Sequence, residues 1–346
     1  MATVFITGGH SGIGLECSRQ LAARGVDLVL AGRSPQRMQA VAEELRTVHD
    51  IDVVTVELDT SSLASVRTAA ATYGSLIERG AAAPLQALIC NAGGRFDGKE
   101  KYSPDGYELT FATNCLGHFL LVELLLPAIS ADGRVVFTAS GTHDPDTMDG
   151  KLVGAAVEPR AVELANDGLS GAKPLPAGKR YSTSKLCTVM YAYELARRLD
   201  RAGSAIASLA YDPGSVPETG FLRNMPKAVQ WLAASSLMQS ISTYIGVTTS
   251  TVAFSGAALA DLAVDKRYAT VSGKYFQARE GKLRRRQSSK VSYDEERART
   301  LWNDSKRLVG LRSEEEPAHL RRRSGIEPEP QKNNVLSGDE FTGRMM

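Results

Sequence analysis

A chain of 346 residues with 43% hydrophobic side chains can fill the core of one large α/β domain or of two small ones. Its formal net charge of +2 offers no broad field to nucleic acid, and the basic clusters Arg284–Arg286 and Arg321–Arg323 read as solvated surface rather than as a polyanion or membrane site. Cys17, Cys90, Cys115 and Cys187 lack metal-ligand spacing, which excludes an obvious zinc site or disulfide framework and leaves them as small buried hydrophobes.

The opening Met-Ala-Thr-Val-Phe-Ile-Thr runs into an apolar strand without a basic segment and a long apolar core. No secretory signal is therefore expected, and a cytoplasmic location is. No apolar run is expected to reach the roughly 20 residues that span a bilayer.

Val4–Ile6 is predicted as a short buried strand. The glycine-rich turn behind it leads into a helix over 15–24, where Leu15, Ser18, Leu21 and Ala22 recur at helical spacing before Gly25. A second apolar strand follows at 27–31, then a helix at 35–49 and a third strand at 53–57. The alternation continues with a helix near 63–79, a strand at 87–90, a long helix from about 107 to 129 and a strand at 134–138. A helix carrying Tyr181 and Lys185 runs to Leu199; strands are expected at 205–210 and, on the edge, at 273–276. Such alternation specifies an α/β fold, a Rossmann-type, doubly wound, mostly parallel sheet of seven strands with helices on both faces and ligand at the carboxyl ends of the strands.

Two stretches interrupt the pattern, 141–180, rich in Asp, Gly and Pro, and 213–248. Both follow predicted strands and so belong to the rim of the ligand site. Within the second, Trp231, Leu232, Leu237, Met238, Ile241, Tyr244 and Ile245 read as a lid over an apolar substrate rather than as membrane contact. From Ser313 onward apolar residues thin out, so a single domain over 1–312 and a disordered tail over 313–346 are expected.

In Thr7-Gly8-Gly9-His10-Ser11-Gly12-Ile13-Gly14, glycines at 8, 12 and 14 permit a tight turn, close approach of backbone to a pyrophosphate, and close helix–strand packing. The N–H groups opening the next helix then face the phosphates of a dinucleotide. An acid at the end of the second strand would bind the adenosine ribose and repel a 2′-phosphate. The chain has Ala31-Gly32-Arg33-Ser34 there, and an arginine without an adjacent acid favours NADP. His10 and Arg37 are candidates to add to this preference, each with a plain surface role as the alternative. Asp59, after the third strand, is a candidate adenine contact, with an N-cap of the Thr60-Ser-Ser-Leu segment as its alternative.

Tyr181-Ser-Thr-Ser-Lys185 lies downstream of that turn. Reducing a carbonyl requires a proton for the developing alkoxide, and Tyr181 is the candidate acid. A free tyrosine has a pKa of about 10, which a nearby cation would lower. Lys185, one turn further on, shares its helical face. Together the two motifs point to a nicotinamide-dependent oxidoreductase.

With these pieces in place, residues 1–312 resemble the short-chain dehydrogenase/reductase family. Thr7–Gly14 is similar to its Thr-Gly-x-x-x-Gly-x-Gly turn, and Asn91-Ala92-Gly93 to the element bordering the adenine ring. Asn114, Ser140, Tyr181 and Lys185 match its catalytic tetrad. Asp212-Pro213-Gly214 with Thr219 resembles the segment that holds the nicotinamide carboxamide. The resemblance implies that Lys185 also binds the nicotinamide ribose, that Ser140 orients the substrate oxygen and that Asn114 supports a proton relay through water. It also implies a homo-oligomer, since family members often pair through helices flanking the sheet. The phrases Asn114-Cys-Leu-Gly-His-Phe119, Tyr181–Cys187 and Thr219-Gly-Phe-Leu-Arg223 are similar to the branch holding retinol dehydrogenases and light-dependent protochlorophyllide reductases. The segment Ser292–Trp302 resembles the end of the latter.

Three further residues carry two readings each. Cys187 follows the lysine closely, which offers a substrate contact, but it turns away from Tyr181 at helical spacing and is expected in the core. His118 shares the face of Asn114, either in a polar relay or as a satisfied structural histidine. His143, in the first rim insertion, is the best additional candidate for substrate contact. That insertion brings Asp144, Asp146, Asp149 and Lys151 together with Leu152, Val153 and Leu164 to the pocket. The substrate expected is a bulky, hydrophobic carbonyl or alcohol. The alternatives are light-driven reduction of a tetrapyrrole double bond and a nucleotide-binding interaction protein without turnover; a complete tetrad argues against the last.

Overall fold

The computed structural model describes residues 2–169, 171, 173–216 and 248–317. Eight strands form one sheet: β1 (Thr3–Thr7), β2 (Asp27–Gly32), β3 (Val53–Glu57), β4 (Leu85–Cys90), β5 (Ile129–Thr138), β6 (Ala207–Asp212), β7 (Lys274–Arg279) and β8 (Lys282–Arg286). Their order is β3-β2-β1-β4-β5-β6-β7-β8, parallel from β3 through β7. The sheet thus has one strand more than the seven expected. β8 pairs antiparallel with β7 across Glu280-Gly281, both at positive φ, as a tight hairpin requires. Its residues Lys-Leu-Arg-Arg-Arg are largely exposed, which hides the strand from an apolar pattern and suits a sheet edge.

Strand alternation divides the core in two. Phe5, Val29, Val56, Leu88 and Phe137 face one layer, and Val4, Ile6, Leu28, Leu30 and Val136 the other. The first layer is closed by the helices Leu63–Glu78 and Ala177–Arg201 and by the run Leu109–Ala128; the second by Gly12–Ala22, Pro35–His49 and Val252–Val264. Helices 35–49 and strand β3 keep the bounds their sequences predict. Pro35 opens that helix, and Asp50, left-handed at φ 51°, ends it.

The long helix expected near 107–129 is interrupted. Leu109–Phe111 is α-helical, Ala112–Leu116 is a π-turn and Gly117–Leu125 is α-helical again. By length and apolarity Leu109–Ala128 could cross a bilayer, against the expectation that no run would, but 89% of its most apolar stretch is buried in the fold.

A C-terminal helix, Glu295–Leu308, packs on Ala177–Arg201. Trp302 meets Phe119 edge-on at 4.8 Å, the Arg198 guanidinium lies 4.8 Å from its ring, and the Tyr191 and Ser305 hydroxyls share a hydrogen bond of 2.5 Å. Packing continues past the expected end of the domain: Arg67 pairs with Glu315 and Lys306 with Glu316. The remainder of the expected tail, and the lid expected around Trp231 to Ile245, lie outside the described residues.

Candidate active site

A cleft of about 740 Å³ opens at the carboxyl ends of the strands, where β1 has β2 on one side and β4 on the other. Thr7, Gly8, His10, Ser11, Gly12, Ile13, Gly14, Arg33, Asn91, Ala92, Gly93, Pro213 and Gly214 line it, as do Ser140, Tyr181 and Lys185. The turn is built by its glycines. Gly8 and Gly12 stand at φ +69° and +54°, and a Cβ on Gly14 would run into the Gly8 carbonyl oxygen. The helix Gly12–Ala22 that follows has no acid in its first turn, so its amino end presents an unopposed positive potential.

Thr7 and Asn91 hold the frame of this turn. The Thr7 hydroxyl accepts from the Asn91 and Ala92 backbone N–H groups, both at 2.8 Å, and the Asn91 amide donates to the Thr7 carbonyl at 3.1 Å. These bonds tie the end of β1 to the end of β4. Asp59 does not line the cleft. Its carboxylate accepts from the N–H and hydroxyl of Ser61, while Ser62 caps the helix Leu63–Glu78. Leu58 and Thr60 stand at the cleft wall instead.

Tyr181 and Lys185 sit one turn apart on Ala177–Arg201, with Lys185 Nζ 5.7 Å from the Tyr181 ring. Burial pushes the Tyr181 hydroxyl up to about 12, while its hydrogen bond with Ser140 acts the other way. Burial also lowers Lys185 to about 8, with Cys115 and Asp212 opposing. The lysine was expected to lower the tyrosine pKa; here desolvation dominates instead, and the ammonium is turned to the Thr138 carbonyl at 2.8 Å.

Asn114 stands behind the lining, in the π-turn. Its Nδ2 donates to the Gly94 carbonyl and to Ser184 Oγ, and its Oδ1 accepts from the Gly94 N–H. The side chain therefore clamps the loop after Asn91-Ala92-Gly93. His118 is fully partnered: Nδ1 lies 3.3 Å from the Asn114 carbonyl and Nε2 3.0 Å from the Thr7 hydroxyl. Burial lowers its pKa to about 4, so it is neutral, a structural histidine linking the two loops.

His143 does not line the cleft. It is buried, its Nε2 accepting from the Ser289 N–H at 3.1 Å and its Nδ1 donating to the Ser140 carbonyl at 2.7 Å. It is a strut beneath Ser140 rather than a substrate contact. Of the first rim insertion's residues expected at the pocket, Asp149, Leu152 and Val153 line the cleft, Asp144, Asp146 and Lys151 do not, and Leu164 joins the core. Cys187 is in the core, as expected. Thr219 lies outside the described residues.

Sequence reasoning brought Asp149 and Asp212 to the site separately and missed that they pair. Asp212, 1% exposed, accepts from Gly214 N–H on Oδ1 and from the Tyr275 hydroxyl and the Gln277 amide on Oδ2. Asp149 accepts from the Thr248 N–H. A Cβ on Gly141 would sit 3.0 Å from Asp149 Oδ2 and 3.1 Å from Asp212 Oδ2, so the two converge on that glycine. The Asp-Pro-Gly turn was the one local signal for Asp212.

The short chain dehydrogenase family matches residues 2–147. Retinol dehydrogenase 13 of Homo sapiens is 32% identical over 324 residues, 89% of this chain and 85% of that protein. Short chain dehydrogenase/reductase dpchH of Colletotrichum higginsianum is 33% identical over 262 residues, 70% of this chain, and the match spans 62% of that relative's length. Among solved structures, a blue fluorescent protein from a metagenomic library in complex with NADPH superposes with a TM-score of 0.57 at 22% identity, over 81% of this chain and 97% of that one; it shares the fold.

Proposed function

The chain belongs to the short-chain dehydrogenase/reductase family of oxidoreductases, and on that premise we propose that it uses NADP to interconvert a carbonyl and an alcohol on a bulky, largely apolar substrate, with Tyr181 as general acid and base. The observation that carries this reading is the buried Tyr181 hydroxyl, bonded to Ser140, one helical turn from Lys185 and open to the cleft that the glycine turn floors.

The turn fits a dinucleotide: a Cβ at position 14 would meet the Gly8 carbonyl oxygen, so only glycine there lets the helix close on the turn whose backbone would face a pyrophosphate. Arg33 and Arg37 line the same cleft, and an acid is missing at Gly32, the last residue of β2. When bound, the nicotinamide would supply or accept the hydride. The remaining tasks fall to the chain. Raised to about 12, Tyr181 is protonated at neutral pH and ready to donate to a developing alkoxide. The Ser140 hydroxyl, bonded to Tyr181 and accepting from the Thr142 hydroxyl, orients the substrate oxygen, while His143 braces the Ser140 carbonyl from behind. The Lys185 ammonium favours the tyrosinate that forms after the proton leaves. Phe96, Leu152, Val153 and Val216 give the cleft apolar wall for the substrate body, of which retinol, named in the human relative, is one kind.

The test is NADPH consumption in the dark against apolar ketones, aldehydes and quinones, with protochlorophyllide under illumination as a separate arm. Dark turnover supports the proposal. Activity confined to the illuminated pigment would move the chain to double-bond reduction.

A further inference from the structure

His10 is the unusual member of the glycine turn, and its surroundings give it a task. Its ring covers Gly32: a Cβ there would run into His10 Cε1 and lie 2.9 Å from Nδ1. The ring is half-buried, and Nδ1 is out of solvent with no hydrogen-bond partner among the described residues. Arg33, just past β2, and Arg37, in the first turn of Pro35–His49, line the same part of the cleft and form no ion pair among the described residues. Neither Gly12–Ala22 nor Pro35–His49 has an acid in its first turn. The charges acting on His10 are these two guanidinium groups. Three nitrogen-bearing side chains without a counter-charge thus converge on the end of β2.

We propose that His10 completes the recognition of the 2′-phosphate and ties it to a proton: the imidazole takes up one proton from solvent as the phosphate binds, so NADP is preferred over NAD more strongly as pH falls. The inference rests on the reading of the cofactor as NADP. In the free protein, burial and the charges of Arg37 and Arg33 hold the imidazole below its ordinary pKa, so it is largely neutral at pH 7. A doubly negative phosphate beside the ring reverses the local potential set by Arg37 and Arg33, and that change favours imidazolium. Binding then becomes His10 + H⁺ + NADPH giving the protonated complex. The affinity gains at most about tenfold per unit fall in pH over the range where the free ring is neutral.

The experiment is titration calorimetry of the full chain with NADPH and, separately, NADH, between pH 6 and 8 in buffers of different ionisation enthalpy. That difference counts protons directly and needs no substrate. A phosphate monoester itself titrates near pH about 6, so wild type is compared with His10→Gln, which keeps a polar side chain without the titration. The expected result is that wild type takes up several tenths of a proton more than His10→Gln on binding NADPH at pH 7. Its NADPH affinity should also fall at least threefold more steeply from pH 6 to 8, with no such difference for NADH. Equal proton counts and equal pH slopes in the two proteins, with NADPH still preferred, overturn the role of His10 alone. NADH binding as tightly as NADPH in both proteins overturns the NADP reading, and this inference with it.

Discussion

The two sides of the cleft are charged oppositely and built differently. At the end of β2 stand Arg33, Arg37 and His10, with no acid beside them; at the end of β6, with three strands between, stand Asp149 and Asp212. The two arginines make no ion pair among the described residues, whereas the carboxylates already accept from Gly214, Tyr275, Gln277 and Thr248. The contrast separates charge that awaits a ligand from charge that holds the protein. It predicts that substitutions on the β2 side will be felt in binding and those on the β6 side in stability, with Tyr181 between them felt in the chemistry.

The largest effect is expected midway. Tyr181→Phe removes the proton donor and nothing from either side, so turnover should fall by about 10²–10⁴-fold or more while NADPH affinity changes little. Near-normal turnover would remove Tyr181 from the chemistry. Asp212→Ala leaves the Tyr275 hydroxyl and the Gln277 amide without their acceptor in the interior. It should cost roughly 2–4 kcal/mol in denaturant unfolding, and a wild-type midpoint would show that the carboxylate is not structural. Arg33→Ala should leave that midpoint within about 0.5 kcal/mol and weaken NADPH by roughly 10–100-fold more than NADH. Equal losses for both cofactors would erase the contrast between the two sides.

The smallest effect is a pH dependence. Lys185, lowered to about 8 by burial, is charged below that pH and loses its charge as the pH rises through it. kcat/KM for reduction should therefore be halved near pH 8 and decline further above it, by at most about tenfold per unit for one proton. A profile level to pH 9.5 would separate the lysine from the reaction.

The β2 side was the more legible in the sequence because its parts are contiguous. Eight residues spell the glycine turn, and Gly32-Arg33 follows a strand whose apolar run is plain. Pro35 and Asp50 bracket a helix with local backbone constraints alone. The other side depends on contacts distant in the chain. Nothing near His143 announces that Ser289 will donate to it, and nothing near Asp212 announces Gln277. The π-turn at Ala112–Leu116 has no local mark either; it lies where Asn114 clamps Gly94. Likewise β8 carries too much charge to read as a strand, although Glu280-Gly281 between two extended runs was a hairpin signal.

Gly32 and His10 share one volume, and this constrains how the protein can change over generations. An aspartate at 32, the simplest route to the unphosphorylated cofactor, must turn the imidazole out of its place or follow its replacement by something smaller. The two sites are therefore epistatic, and the order of substitutions matters. A lineage that altered position 32 first would have to displace the imidazole, whereas one that first lost His10 would find the space open and would have relaxed its cofactor choice before acquiring a new one.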